Sequence, residues 1–257
     1  RFADRGPRKR RAGRPHDKVT RVHRPTLYIF PHAGGSPSFY APFAKTFTKD
    51  IKRVAVQYPG KGGTHDLASF TTIAELADEV SRKLPPIGDD SKSIAFFGHS
   101  MGGLVAFEVA RRLDEAGHGI GALFLSAIAS PGRVGFDYIP DTDRGLLDAA
   151  SQMMGVNPEF LENEEFAARI LPTLRGLMSI SKYECAPGAG VSCPIFAYFG
   201  DDDPVATREK VQPWAERTTD ECVLREFPGH HFYLTDHLPE LVNDIEGRIA
   251  ERCGGVS

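Results

Sequence analysis

Three stretches of the chain carry side chains able to transfer an acyl group. The first, Gly98-His99-Ser100-Met101-Gly102, has the form G-x-S-x-G. A serine in this setting can sit at the tip of a sharp strand-to-helix turn with its hydroxyl projecting. The glycines follow from that geometry, because side chains flanking so tight a turn would collide. The helix that follows would aim its free N–H groups at the reacting centre and favour negative charge there. The alternative is a serine that merely caps a helix in a Gly-rich turn. The second stretch, Phe199-Gly200-Asp201-Asp202-Asp203-Pro204, offers three carboxylates, each of which could equally shape a turn or cap a helix. The third, Phe227-Pro228-Gly229-His230-His231-Phe232-Tyr233, offers two adjacent imidazoles as bases. Residue type and order alone rank neither the aspartates nor the histidines.

Such chemistry needs elements that present it. Short apolar runs at 27–30, 54–56, 94–97, 122–125, 194–199 and 222–227 read as strands buried on both faces. Helical patterns near 39–48, 72–84, 102–116, 205–218 and 239–252 lie between them. The alternation predicts an α/β fold, a mostly parallel central sheet flanked by helices. Each candidate stretch follows a strand, where open parallel sheets carry their sites. The chain order Ser, Asp, His is that of the α/β-hydrolase fold. That fold takes one oxyanion donor from the N–H after the serine, here Met101, and another from the loop after an early strand. Phe30-Pro31-His32-Ala33-Gly34-Gly35 occupies that loop, and its paired glycines let backbone N–H groups approach a ligand.

One segment breaks the alternation. Residues 131–187 contain no strand-like run, and Phe166, Ile170, Leu171, Leu174, Leu177 and Met178 recur at helical spacing. An insertion this long is a small subdomain or a functional cover. Its apolar face either packs it onto the body or lines a pocket for an apolar substrate. At the other extreme, residues 1–25 hold ten Lys/Arg and two Asp, leaving +8 against −11 for the rest. Their low apolar content predicts a disordered tail before a single domain over 26–257, or else a docking arm for an acidic partner or nucleic acid. No apolar run approaches the ~18 residues of a transmembrane helix, and the basic stretch lacks a signal peptide's apolar core. Four cysteines without metal-binding spacing read as reduced thiols of a cytoplasmic protein, and no metal site is expected.

Thr26-Leu27-Tyr28-Ile29-Phe30-Pro31-His32-Ala33-Gly34-Gly35, Gln57-Tyr58-Pro59-Gly60, Phe97-Gly98-His99-Ser100-Met101-Gly102-Gly103 and Gly229-His230-His231-Phe232-Tyr233-Leu234 together resemble the stand-alone type II thioesterases of polyketide and nonribosomal peptide synthesis. Within that group the chain is similar to the mycobacterial TesA-like enzymes linked to complex lipid synthesis. The similarity runs from residue 26 to about 249. It implies Ser100 as nucleophile, Asp203 as acid, His231 as base and the backbone of Ala33 and Met101 as oxyanion donors. It also implies that residues 131–187 form a helical lid over an acyl chamber, and that no cofactor takes part. The expected reaction is hydrolysis of acyl thioesters on the phosphopantetheine arm of a carrier domain, for editing or product release.

A carboxylesterase or lipase, or an acyltransferase, could use the same Ser-His-Asp triad, although the P-H-A-G-G loop differs from the H-G-G-G loop that esterases favour. A non-catalytic binding protein on this fold would usually lack a triad member, whereas all three are available here. Nucleic acid is not expected as a partner of the domain. Two positions depart from the family pattern. His230 stands where Asp or Gly is frequent, so a second imidazole adjoins the base, and Lys61-Gly62-Gly63 follows the Tyr-Pro-Gly turn where Arg is usual. A body of net −11 further implies that an acidic carrier domain would need a local basic patch or apolar contacts to dock.

Overall fold

The computed structural model describes residues 24–58, 72–134, 139–140, 142–154, 159, 162–181 and 183–254. The basic stretch up to residue 23 and the segment 59–71, which contains Lys61-Gly62-Gly63, lie outside the described residues.

The strands are β1 (Thr26–Phe30), β2 (Lys52–Ala55), β3 (Ile94–His99), β4 (Ala122–Ser126), β5 (Ile195–Gly200) and β6 (Cys222–Phe227). They form one six-stranded sheet in the order β2-β1-β3-β4-β5-β6, and every pairing is parallel. The chain winds outward in one direction from β1 to β2 and in the other from β1 through β3 to β6. The order therefore reverses between β1 and β3, and the carboxyl ends of those two strands open the crevice in which such sheets bind ligands. Both strands are buried on each face because successive side chains alternate sides. Ile94 and Phe96 of β3 join one core cluster with Phe30, Leu104, Phe107 and Trp214, while Ala95 and Phe97 join another with Phe43, Phe124, Leu241 and Ile245.

Helices α1 (Ala41–Thr46), α2 (Ile73–Lys83) and α3 (Met101–Glu115) connect the first half of the sheet. Thr72 starts α2 by accepting the Glu75 N–H on its Oγ1 at 3.1 Å, and the helix stops at Leu84, before Pro85. Helices α4 (Asp143–Met154) and α5 (Glu164–Ser181) lie in the long connection between β4 and β5. The helix expected over 205–218 divides into α6 (Arg208–Val211) and a 3₁₀ turn at Gln212–Arg217. Pro213 explains the change, since it has no N–H to return to the Glu209 carbonyl. The last helix is α7 (Leu238–Arg252), with Pro239 in its first turn, where a missing N–H costs nothing. Among the described residues no helix is long and apolar enough to cross a membrane.

The connection that holds α4 and α5 has its ends tied together. Gly132 donates its N–H to the Tyr183 carbonyl at 3.4 Å. The Tyr183 hydroxyl reaches the buried Glu108 carboxylate on α3, which Arg111 also engages at 2.9 Å. Burial pulls the Glu108 carboxyl up, but hydrogen bonds from Arg111 and Tyr183 and the charges of Arg111 and Arg112 outweigh it and hold it below the usual range. Between these ends, Leu146, Leu147, Ala150 and Leu174 pack with Ile139 and with Val205 of the loop after β5.

Candidate active site

Ser100 links the last residue of β3 to the first of α3 with φ 55° and ψ −128°. A serine pays for that left-handed backbone in steric strain, and the neighbouring glycines explain how the turn survives. A Cβ on Gly98 would lie 2.3 Å from the Gly102 carbonyl oxygen, and one on Gly102 would lie 2.1 Å from that of Phe30. The glycine spacing thus serves close approach, within the elbow and between the elbow and the loop after β1. The Ser100 N–H is held by the Ser126 carbonyl at the end of β4, 2.7 Å away. Although Ser100 occupies the N-cap position of α3, its side chain makes no capping bond, so the capping alternative is not realised and the hydroxyl is free to turn elsewhere.

That hydroxyl meets His231. The Ser100 Oγ lies 3.0 Å from His231 Nε2, and His231 Nδ1 lies 2.8 Å from Asp203 Oδ2. Asp203 Oδ1 accepts the Val205 N–H at 2.9 Å, which fixes the carboxylate plane. Asp203 and His231 are both buried, at 2% and 3% exposure. The loops that carry them are pressed together, since a Cβ on Gly200 would sit 2.2 Å from the Gly229 carbonyl oxygen. The other candidates in those loops are accounted for separately. Asp201 accepts the Gly229 N–H at 2.8 Å. Asp202 pairs with His230 Nδ1 at 3.0 Å, in the open. The departure at His230 therefore places the extra imidazole on its own surface carboxylate.

The two backbone positions expected to bind an oxyanion lie in the elbow and in the turn after β1, two segments that meet where Gly102 approaches the Phe30 carbonyl. Met101 opens α3, so its N–H is among the helix-end donors with no partner within the helix. Ala33 lies in the turn after β1, followed by Gly34 at φ 74°. The Tyr58 hydroxyl donates to the Pro31 carbonyl at 2.8 Å, and the Gly35 N–H donates to the His32 carbonyl at 2.9 Å, so the turn is held from just beyond β2 and from within.

Residue types alone did not single out the rest of the site. His32 and His99, both quoted within motifs, prove to be buried around His231. His32 Nδ1 lies 2.8 Å from the Tyr40 hydroxyl, and burial together with the nearby His231 lowers its pKa to about 4. Burial pushes His99 well below the ordinary histidine value, with His231 and His32 adding to the effect. Both rings are therefore neutral at physiological pH. Ala127, just beyond β4, also takes a left-handed backbone, φ 52°, and nothing in its sequence context signals it. A basic groove lies away from the site. Arg24, Lys45, Lys49, Lys52 and Arg53 line a groove of about 430 Å³, at the strand ends opposite Ser100. A six-residue strand such as β3 puts roughly 20 Å between the two ends.

Known proteins share this architecture. Residues 25–249 match the family model described as thioesterase domain. The thioesterase TesA of Mycobacterium leprae is 50% identical over 230 residues, covering 89% of this chain and 88% of that protein. The protein of the same name from Mycobacterium marinum is 49% identical over 223 residues, 86% of this chain and 90% of its own. Among solved structures, the type II thioesterase BorB from the borrelidin biosynthetic cluster is 34% identical with a TM-score of 0.72, covering 88% of this chain and 92% of its own.

Proposed function

The chain belongs to the thioesterase domain family, and on that premise we propose that it is a serine thioesterase in which Ser100, His231 and Asp203 carry the reaction. The observation that supports this most directly is the unbroken sequence of contacts from Asp203 Oδ2 through His231 to Ser100 Oγ, at 2.8 and 3.0 Å. His231 Nε2 takes the serine proton as Oγ attacks the thioester carbonyl, and Asp203 holds the imidazole with Nδ1–H toward the carboxylate. The N–H groups of Ala33 and Met101 stabilise the oxyanion, where loss of one donor costs about 2.7–4 kcal/mol of barrier. The tetrahedral intermediate collapses to an acyl-serine as the C–S bond breaks, and the protonated His231 returns its proton to the departing sulfur, whose ordinary thiol pKa of about 8.5 makes it a good leaving group. His231 then deprotonates a water, which attacks the acyl-serine and releases the carboxylic acid and the regenerated hydroxyl.

The substrate on this reading is an acyl chain on the phosphopantetheine arm of a polyketide or nonribosomal peptide synthase carrier. The names of relatives support it, among them a probable cadicidin biosynthesis thioesterase of Streptomyces griseus, 35% identical over 85% of this chain. We assign α4 and α5 the role of a lid. They pack through Leu146, Leu147 and Leu174 onto Val205, two residues from Asp203, and so stand beside the catalytic loops. The test is hydrolysis of acyl thioesters of increasing chain length, with matched oxygen esters, by the wild type and Ser100→Ala. Thioester turnover that needs Ser100 and rises with chain length is expected. Oxygen-ester turnover that matches or exceeds it would replace this reading with an esterase. Labelling of Ser100 by a fluorophosphonate without hydrolysis of either ester would replace it with an acyltransferase.

A further inference from the structure

Beneath the Ser100–His231 contact lies a buried polar file that the mechanism above does not use. His99 is fully buried, with Nδ1 2.9 Å from the Ser126 Oγ, and that oxygen lies 2.7 Å from the Tyr233 hydroxyl. The Nε2 atom of His99 is buried and has no hydrogen-bond partner among the described residues. The ring is seated between the two loops that hold the site. Its centroid is 6.0 Å from that of His32 before Ala33, 5.3 Å from His231 and 5.1 Å from Phe232. A buried imidazole with one nitrogen unsatisfied is costly, and an apolar side chain of similar size would fill the space without that cost.

The direction of the file follows from counting protons. If the Tyr233 hydroxyl donates to Ser126 and the Ser126 hydroxyl donates to His99 Nδ1, every hydroxyl proton is used and the His99 proton sits on Nε2. The reverse direction would leave both a phenol proton and the Nε2 lone pair unsatisfied inside the protein, against the Nε2 proton alone in this one. Ser126 therefore serves both halves of the elbow, since its carbonyl holds the Ser100 N–H at 2.7 Å while its hydroxyl holds the ring of the preceding residue.

We propose that His99 is a positioning residue for His231: Tyr233 and Ser126 lock it as a neutral ring that spaces the base loop from the oxyanion loop. This rests on the reading that Ser100 and His231 carry the reaction. Neutrality matters because His231 becomes a cation at each proton transfer, and a charged ring 5.3 Å away would oppose it. The groups that face His99 are His32, His231, Phe232 and Ser126, with Tyr40 and Asp203 behind the two histidines. None of them offers a carboxylate to His99 directly.

The test uses the full chain and a small acyl thioester, with kcat normalised to the folded fraction from thermal melts. His99→Leu is expected to lower kcat about 10- to 100-fold while KM moves less than about twofold, because the loss is in alignment rather than binding. His99→Asn, whose carbonyl can accept the Ser126 proton, should recover a good part of that loss. Tyr233→Phe should lower kcat by about three- to tenfold alone and add little to His99→Leu, since the two act through one path. A His99→Leu enzyme with wild-type kcat per folded molecule, or an Asn variant no better than Leu, overturns the proposal. The rate at which a fluorophosphonate labels Ser100 provides a second readout. It requires the Ser100–His231 geometry and the oxyanion donors but no thioester, so it should fall in parallel in His99→Leu even if thioesters prove to be the wrong substrate, and an unchanged labelling rate counts against the positioning role.

Discussion

Two Asp–His pairs sit one residue apart in this protein, and they differ in almost nothing but their surroundings. Asp203 and His231 meet at 2.8 Å with side chains 0% and 4% exposed, while Asp202 and His230 meet at 3.0 Å with side chains 75% and 72% exposed. Distance does not separate them. Burial does, because water and salt screen the outer pair to a coupling of at most about 1 kcal/mol, whereas the inner pair is oriented by the Val205 N–H and handed on to Ser100. The chemistry is thus assigned by which loop residue faces inward, and here only one of each adjacent pair does so.

That contrast can be broken at its strongest point first. Ser100→Ala or His231→Ala should each lower kcat by about 10⁶-fold with the fold intact, and the corresponding loss in His230→Ala should stay within about twofold. Steady-state hydrolysis of one thioester by the three variants measures both sides at once. Asp203→Asn should cost about 10⁴-fold in kcat by releasing the imidazole from its productive tautomer, whereas Asp202→Asn should be nearly silent; comparable losses at the two positions would mean the inward-facing residue was misassigned. Gly102→Ala adds a Cβ 2.1 Å from the Phe30 carbonyl oxygen, so it should destabilise the fold as well as disable the elbow, with a drop in thermal midpoint that Ser100→Ala does not share.

The smaller effects concern acid. His32 is lowered to about 4 in the folded protein by burial and by the nearby His231. Between pH 6.5 and about 4 the unfolded chain therefore carries a proton that the folded chain refuses. By linkage, stability falls as pH drops through this window, by up to about 1.4 kcal/mol per pH unit for this one group. His99 is lowered well below the ordinary value, so it adds its own slope over the same window and carries it to lower pH, and a variant at His32 removes only part of the total. Urea unfolding at pH 7, 6 and 5 should show this slope, and His32→Gln should flatten it.

Much of this was legible from the residues because parallel strands buried on both faces write themselves as continuous apolar runs. Phe96 and Phe97 lie on opposite faces of β3 and both meet a core, so the run needs no alternation and stands out from its polar flanks. The elbow was legible because its glycines answer to sterics that hold in any context. Three features were less legible. The choice among Asp201, Asp202 and Asp203 depends on the register between two loops far apart in the chain, and three identical side chains carry no record of it; family resemblance, not composition, pointed to Asp203. The break in the helix after Val211 was missed although Pro213 announces it. The Tyr233–Ser126–His99 file draws its members from two strands and a loop, so its hydrogen bonds leave no local spacing to read.

The strained turn at Ser100 has a kinetic corollary. The Ser100 N–H is held by the Ser126 carbonyl at the end of β4, and Gly102 of the same turn packs against the Phe30 carbonyl at the end of β1, one on each side of β3. A partly assembled sheet holding β3 alone has nothing to keep the serine in its left-handed conformation, and contacts between parallel strands so distant in sequence form late and slowly. Recovery of Ser100 reactivity during refolding should thus trail hydrophobic collapse and coincide with formation of the central three strands, which makes a single fluorophosphonate-labelled residue a reporter of when the sheet closes.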